Sequence, residues 1–395
     1  MPAAAVHALV ADDDPMLLAL LEAFLQTRGY AVTACGDGLA ALEQFERGGF
    51  NLLITDRNMP RMDGLALCRA VRARDAGRYV YCIMLTASDE EDTLVAAMEA
   101  GVDDFVLKPL RPAELGARLR AAERVLALEA GLAARNEELA RAYAQLSRDL
   151  ELARTLQLGQ LPAPQSFDGL RFHGLFQTSS FVGGDVYDWF EPVPGWLAFH
   201  LADVSGHGVA AAMVAGNAMH LLRSAAEDVV RAAPEGQGPA ALAAAIVAEA
   251  NARFLRMNAS DLYLTVAFGL VHIASRRGAV VRAGHPPPLL SAPGTAAFEP
   301  LGEGDVPLGM LPDIRWTAVE FALPPGARLA LYSDGITECL DPAGEPFGEQ
   351  RLRDLLAAHA RSTPQQACQA VGEALRDWRG GTFDDDVTLA VLAAG

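Results

Sequence analysis

Short apolar runs alternate with longer amphipathic stretches over the first 122 residues. The apolar runs, each short enough for a buried strand, are AVHALVA, YAVTAC, FNLLITD, YVYCIMLT and DDFVLK. The stretches between them have apolar residues at helical spacing, with Pro15 as a start signal and Gly29 and Gly101 as stop signals. Five strands alternating with five helices predict an α/β domain, residues 1–122, built on a doubly wound five-stranded parallel sheet.

The pattern changes in the next segment, where strand-forming residues are scarce and Ala, Leu, Glu and Arg dominate up to Pro162. Two sets of positions recur every seven residues, and they are Leu132, Leu139, Leu146 and Ala153, followed four positions later by Asn136, Tyr143, Leu150 and Gln157. This repeat predicts a helical coiled-coil linker, residues 123–161, that makes the chain a homodimer, and Asn136 at an inner position favours a parallel pair. The alternative is a single amphipathic helix that lies on its own domains, and Gly131 and Gly159 weaken both helix ends.

Strands and helices come in blocks rather than in alternation over residues 162–395. Strand-like runs such as WLAFHLADV, LYLTVAFGLVHI and RLALYSDG are separated by long helical stretches such as GVAAAMVAGNAMHLLRSAAED. Block order predicts an α+β domain with helices packed outside mainly antiparallel sheets.

Length and charge narrow the class of protein. A chain of 395 residues is long enough for two or three domains. The net charge of −18 argues against binding to nucleic acid or to an anionic membrane, and favours cations as partners. Five cysteines without a C-x-x-C pair suggest neither disulfides nor zinc, as expected in a reducing cytosol. No apolar run approaches the roughly 20 residues that span a bilayer, so we expect a cytoplasmic protein.

Polar residues follow the predicted strands of the first domain, where a parallel sheet places its active crevice. They are Asp12, Asp13, Asp56, Thr86 and Lys108. Three converging carboxylates suit Mg²⁺, which prefers oxygen ligands and keeps some waters. A metal-held aspartate with a lysine and a threonine nearby is set up to attack phosphorus and become an aspartyl phosphate.

The motifs LVADDDP, LLITDRNMPRMDG, MLTA and FVLKP resemble those of the receiver domain of two-component response regulators. The resemblance implies that Asp56 is the phosphoacceptor, served by a histidine kinase, and that Asp13 is a direct Mg²⁺ ligand with Asp12 as its acidic companion. Asp14 makes a second pairing conceivable, but Asp14 and Pro15 resemble a helix start.

The same resemblance assigns the rest of the receiver site. The backbone carbonyl of Asn58 would complete the metal site, and Thr86 and Lys108 would contact the phosphoryl group. Phe105 occupies the aromatic switch position, and Lys108 with Pro109 has the family's cis-peptide pattern.

Aspartates again stand at strand ends and turns in the third segment. They occur in VGGDVYDWF, LADVSGHG, YSDGITE and FDDDVTL, at Asp185, Asp203, Asp334 and Asp384 to Asp386. Neighbouring glycines let the backbone approach closely. Carboxylates without thiolates suit Mg²⁺ or Mn²⁺ rather than zinc, and two such ions can support direct hydrolysis of a phosphate ester. His207 is a candidate base, although a structural or supporting role is the better interpretation.

These four motifs, with RAGHPPPLL between the second and third, resemble the SpoIIE/RsbU-type branch of the PPM metal-dependent serine/threonine phosphatases. The resemblance implies an αββα sandwich around two Mn²⁺ or Mg²⁺ ions. The implied site is Asp203 bridging both ions, the Val204 carbonyl, Asp185 on one ion, Asp334 and Asp385 on the other, and Asp386 in support. The aspartate triplet leaves Asp384, Asp385 and Asp386 open as ligands, with Asp385 preferred, and Asp188 is given a supporting role.

Together the segments predict a response regulator that dephosphorylates phosphoserine or phosphothreonine on a partner protein. The resemblance implies that the partner is an anti-sigma-factor antagonist and that phosphorylation of Asp56 controls the enzyme. The alternative is a catalytically silent phosphorelay adaptor that sequesters a signalling partner, which the four retained acidic motifs disfavour. A nucleotidyl enzyme is a third interpretation, but the chain lacks a G-x-x-x-x-G-K-[ST] loop.

Overall fold

The computed structural model describes residues 6–74, 79–87, 91–258 and 261–395. The chain divides into two compact units, Met1–Ala144 and Gln145–Gly395. Across the described parts of the chain, no helix has both the length and the apolar character that a bilayer crossing requires.

The first unit is built on a five-stranded parallel sheet in the order β2-β1-β3-β4-β5. Its strands are β1 His7–Ala11, β2 Ala31–Cys35, β3 Leu52–Asp56, β4 Tyr81–Thr86 and β5 Asp104–Leu107. Its helices are α1 Pro15–Gln26, α2 Gly38–Glu46, α3 Gly64–Arg74, α4 Glu91–Glu99 and α5 Pro112–Gln160, and α5 continues into the second unit. The predicted receiver fold is confirmed.

Helices on both faces explain why the central strands are continuously apolar. Successive residues of a strand point to opposite faces, so Leu53 packs into one core and Ile54 into the other. The second core also takes Leu115 and Leu119, at the start of α5. The long helix therefore begins as part of the receiver fold, before the predicted linker boundary at residue 123.

Helix α5 is continuous over 49 residues and passes through both Gly131 and Gly159. The predicted helical linker is confirmed as a helix. Its apolar seam is exposed in the single chain, with Leu139 56% and Leu146 54% exposed. The last seam position differs from the prediction, because Gln157 is only 8% exposed and is turned into the second unit.

The second unit contains two antiparallel sheets. The strands of the first sheet are β8 Asp185–Phe190, β9 Trp196–Val204, β10 Leu264–His272, β11 Arg277–Ala283 and β14 Ala318–Ala322, in the order β14-β11-β10-β9-β8. The strands of the second sheet are β6 Gln165–Phe167, β7 Leu170–Gln177, β12 Leu289–Ser291, β13 Glu299–Pro300, β15 Arg328–Tyr332 and β16 Val387–Ala394, in the order β13-β12-β15-β16-β7-β6. The helices are α6 Val209–Ala232, α7 Pro239–Met257, α8 Asp334–Thr337, α9 Gly348–Ala358 and α10 Pro364–Arg379.

Three apolar clusters show that the second unit has four layers. Helices α6 and α7 pack on the outer face of the first sheet, and α9 and α10 pack on the outer face of the second. Between the sheets lies an aromatic core that includes Phe172, Trp189 and Phe199, with the rings of Phe172 and Trp189 5.2 Å apart. The predicted αββα sandwich is confirmed.

Candidate functional sites

The receiver unit gathers an acidic pair and a lysine at the carboxyl edge of its sheet. Asp12 follows β1 and is fully buried, and Asp56 ends β3. The Nζ atom of Lys108 lies 3.0 Å from Asp12 Oδ2 and 2.5 Å from Asp56 Oδ1. The predicted phosphoacceptor and the predicted phosphoryl-binding lysine are thus in direct contact.

Backbone groups fix the orientation of these carboxylates. The amide of Asn58 donates to Asp56 Oδ2 at 3.0 Å, and the amide of Asp14 donates to Asp12 Oδ1 at 2.9 Å. Asp14 itself accepts from the Met16 amide at 2.9 Å and caps α1. Because Asp14 is used as a helix cap, Asp12 and Asp13 are the members of the triplet left for a metal, which supports the predicted pair.

Burial and the lysine act in opposite directions on this cluster. Burial raises the pKa of Asp12, and the hydrogen bonds from Asp14 and Lys108 oppose that rise. Burial lowers the pKa of Lys108, but the hydrogen bonds to Asp56 and Asp12 outweigh it and raise the pKa overall. The charged lysine compensates two anions, and the oxygen donors suit the Mg²⁺ ion that a receiver domain uses.

The remaining predicted receiver residues lie around this cluster. Asp13 and Asn58 have exposed side chains, Thr86 is buried at the end of β4, and Phe105 is half-buried on β5. The amide of Lys108 donates to the Thr86 carbonyl at 2.8 Å, and the peptide bond after Lys108 is cis, as the resemblance implies.

In the second unit, two predicted metal ligands face each other across neighbouring strands. Asp185, the first residue of β8, pairs directly with Asp203 near the end of β9. Asp185 is 1% exposed and accepts a hydrogen bond from Thr388 Oγ1 at 2.5 Å. Val204 follows Asp203 and is buried, with its amide donating to the Gly184 carbonyl at 3.3 Å.

The electrostatics of this site show uncompensated negative charge. Burial and the charge of Asp203 raise the pKa of Asp185 well above its ordinary value. Burial, then the charges of Asp334 and Asp385, raise the pKa of Asp203 to about 7. Among the described residues, no lysine or arginine forms an ion pair with any of these four aspartates.

The three consecutive aspartates have three different environments. Asp384 Oδ1 pairs with Arg379 Nη2 at 2.7 Å. Asp386 is buried and accepts from the amides of Gly184 at 2.7 Å and Ser179 at 2.9 Å. Asp385 is exposed, and the charge of Asp334 contributes to its raised pKa, after burial. Asp385 is therefore the triplet member most available to a metal, while Asp386 supports the loop that carries Asp185.

That loop requires glycine because the Asp386 carboxylate lies against it. A Cβ atom on Gly183 would lie 2.1 Å from Asp386 Oδ2, closer than any real contact. The loop is held from its other side by Gln157 of α5, whose amide donates to the Gly183 carbonyl at 2.7 Å and accepts from the Gly183 N–H at 3.1 Å. Heptad spacing placed Gln157 in a coiled-coil seam, so no sequence pattern pointed to this contact.

Two other polar residues near the site have separate roles. Asp188 is buried and forms a two-pronged ion pair with Arg223 of α6, so it ties β8 to that helix. His207 is exposed, and its charge lowers the pKa of Asp385 as a minor contribution.

The donor set fits divalent ions, although the side chains alone do not enclose one. In the described residues, no three Asp, Glu, His or Cys side chains converge tightly enough to hold a metal by themselves. Mg²⁺ and Mn²⁺ sites are completed by carbonyl oxygens and waters, and the Val204 carbonyl is available there. These carboxyl groups have raised pKa values because they lie together without a partner cation. A bound divalent ion would lower those pKa values again.

Two family models match the chain. The model described as "Response regulator receiver domain" matches residues 8–120, and the model described as "Stage II sporulation protein E (SpoIIE)" matches residues 194–394, about half of the chain. Fold and site together define a receiver domain joined to a PP2C-type phosphatase domain. The chain belongs to the SpoIIE family of metal-dependent protein serine/threonine phosphatases.

Individual proteins resemble one domain or the other. The sensory transduction protein RegX3 and the DNA-binding response regulator MtrA of Mycolicibacterium smegmatis are 40% and 41% identical over 113 residues, 29% of this chain and 48% of each relative. The chain thus spans about half the length of the curated relatives it matches. The SiaA-PP2C domain of Pseudomonas aeruginosa shares the fold, at 22% identity and a TM-score of 0.53, over 64% of this chain and 98% of that one.

Proposed function

We propose that this protein is a response regulator whose output is metal-dependent hydrolysis of phosphoserine or phosphothreonine on a partner protein. The observation that carries the proposal is the cross-strand pair of Asp185 and Asp203, which faces Asp334 and Asp385 on a PP2C-type fold. An anti-sigma-factor antagonist is the substrate that the SpoIIE resemblance favours.

The proposed roles are those that the family resemblance implies, and the positions of the side chains support them. Asp203 would bridge two Mn²⁺ or Mg²⁺ ions, with Asp185 on one side and Asp334 and Asp385 on the other. The ions would supply the positive charge that activates water and polarises the phosphoryl group. The chain holds the ligands in place, because Thr388 binds Asp185 and Asp386 binds the Gly184 amide.

Control by a histidine kinase would act through Asp56. A phosphoryl group on Asp56 would offer the Lys108 ammonium, which now contacts both aspartates, a new anionic partner in competition with Asp12. Helix α5 starts in the receiver core and reaches the Gly183 loop through Gln157, so it is the element that would transmit the change. The proposed domains remain 1–122, 123–161 and 162–395, with the linker forming a homodimer.

The first test is phosphate release with Mn²⁺ from p-nitrophenyl phosphate and from a phosphoserine protein. We expect metal-dependent turnover in the wild type and rates near background in Asp203→Asn. Acetyl phosphate should change the wild-type rate and leave Asp56→Ala unchanged. A wild type without turnover on either substrate would favour the sequestering adaptor instead.

A further inference from the structure

A cavity of about 240 Å³ opens beside the proposed metal site of the second unit. Its walls include Glu338, Cys339, Leu340, Arg379, Phe383 and Asp384. Asp385 also lines it, so the cavity and the proposed metal site share a wall. A peptide that placed its phosphoryl group at the metals would therefore have neighbouring side chains at the cavity mouth.

The arginine in this cavity already bonds to groups of the protein itself. Arg379 binds Asp384 Oδ1 at 2.7 Å, the Thr382 carbonyl at 3.0 Å and the Leu340 carbonyl at 3.3 Å. These bonds fix the guanidinium as part of the wall and neutralise Asp384. Neither group is left to recognise a substrate charge.

Glu338 is the charged wall residue that remains. It follows α8, the short helix that begins at Asp334, and its amide donates to the Asp334 carbonyl at 2.8 Å. Its side chain is exposed, and no lysine, arginine or histidine of the described residues lies within ion-pair distance of it. Besides Asp385, which is a proposed metal ligand, the cavity thus presents Glu338 as an uncompensated carboxylate, about one helical turn from Asp334.

The other walls suit the stem of a long cationic side chain. Cys339 is buried, Leu340 is 40% exposed and Phe383 is half-buried, so they offer apolar surface to methylene groups. An anionic side chain would meet Glu338 and Asp385 and be repelled. A lysine or arginine combines the apolar stem and the positive head that this lining complements.

We propose that the cavity is a substrate subsite that accepts a lysine or arginine side chain close to the phosphorylated residue, with Glu338 as its charge partner. The inference rests on the proposed phosphatase function and adds a sequence preference to it. Because each extended residue spans at most about 3.6 Å and the cavity adjoins Asp385, the basic residue should lie within about three positions of the phosphoserine.

The test compares matched phosphoserine peptides on the full-length enzyme with Mn²⁺. One set carries a single arginine at each position from three before to three after the phosphoserine, and the other carries uncharged citrulline there. At one position we expect kcat/KM to be about two- to fivefold higher for arginine, the range of a partly exposed ion pair. Higher salt should reduce that preference.

Variants of Glu338 test whether it is the charge partner of the peptide arginine. Glu338→Gln should bring the arginine-to-citrulline ratio close to one, and Glu338→Lys should invert it, whereas Glu303→Gln, an exposed glutamate outside the cavity, should keep it. The ratio cancels any general effect of Glu338 on the neighbouring Asp334. A wild type that does not discriminate, or a Glu338→Gln variant that still does, overturns the subsite.

Two further outcomes separate this inference from the proposed function. Hydrolysis of p-nitrophenyl phosphate without hydrolysis of any peptide would reject the subsite and leave the phosphatase standing. Failure to hydrolyse either kind of substrate would reject the proposed function, and the subsite with it.

Discussion

At the scale of single residues, the run Asp384 to Asp386 shows how neighbours of one chemical type acquire different roles. One pairs with Arg379 on the surface, one faces the proposed metal site, and one is buried under a loop. The three residues lie in a bend just before β16, so each side chain meets different partners. Replacing each aspartate should therefore lower the free energy of unfolding by a different amount.

Replacing Asp386 by alanine should destabilise the phosphatase unit by about 2–3 kcal/mol, because the Gly184 and Ser179 amides lose a charged acceptor in a buried place. Urea unfolding of the metal-free protein measures this change. Asp384→Ala, which breaks an exposed ion pair, is the matched control and should cost less than about 1 kcal/mol. Equal losses in the two variants would contradict the assigned role.

His200 predicts an effect of pH on stability. It is buried on β9 opposite Asp188 and stacks on Phe268 at 6.4 Å, and neither ring nitrogen has a hydrogen-bond partner among the described residues. Burial lowers its pKa to about 4, with Asp188 opposing and Arg223 reinforcing the shift. The unfolded state therefore binds a proton between about pH 6.5 and pH 4 that the folded state does not, so stability falls as the pH drops through that window.

The expected measurement is the difference in unfolding free energy between wild type and His200→Phe. That difference should move in favour of the variant by up to about 1.4 kcal/mol per pH unit below pH 6.5. Above pH 7 it should be constant. Because Asp203 titrates in the metal-free protein over an overlapping range in the opposite sense, only the difference between the two proteins isolates His200. A pH-independent difference would show that His200 is not buried in neutral form.

At the scale of elements, the end of α5 holds the loop that carries Asp185. Gln157→Ala removes both hydrogen bonds to Gly183 and should destabilise the phosphatase unit by about 1–3 kcal/mol. We also expect the Mn²⁺ concentration at half-maximal phosphate release to rise several-fold, because Asp185 is less well positioned. Manganese titrations of initial rate provide the measurement.

The control for Gln157 lies on the same helix. Gln145 is exposed, and its side-chain bonds are to Arg148 and Asp149, which are exposed residues of the same helix. Gln145→Ala should therefore change stability by no more than about 0.5 kcal/mol. Identical manganese titrations for the two variants and the wild type would show that Gln157 does not position the loop.

At the scale of the whole molecule, the exposed seam of α5 predicts self-association. Leu139 and Leu146 are more than half exposed in the single chain and lie one heptad apart. Replacing both by glutamate should convert a dimer to a monomer in sedimentation equilibrium, because charges would replace the buried seam. Ala142→Glu, off the seam, should leave the dimer intact. A monomeric wild type at micromolar concentration would reject the predicted coiled coil.

The sequence by itself determined the secondary structure, the two fold classes and most candidate residues. The strand spacing and the helix spacing of apolar residues can each be read from a short window of sequence. They therefore distinguish a segment in which strands and helices alternate from one in which they come in blocks. The acidic motifs also stand at strand ends in the sequence, so Asp56, Asp185 and Asp203 could be chosen before any contact was known. Most residues at both sites were found this way because they are polar interruptions of apolar runs, whereas Phe105 and Val204 were assigned only through the family resemblance.

Only the tertiary structure decided which of these residues touch. Contacts such as Lys108 with Asp12, Asp386 with the Gly184 amide and Gln157 with Gly183 join positions 96, 202 and 26 residues apart. Such pairings depend on how sheets and helices pack, which no local pattern encodes. Periodicity assigned Gln157 to a seam between chains, whereas packing turned it into its own domain, because a buried polar side chain goes where its hydrogen bonds can be satisfied.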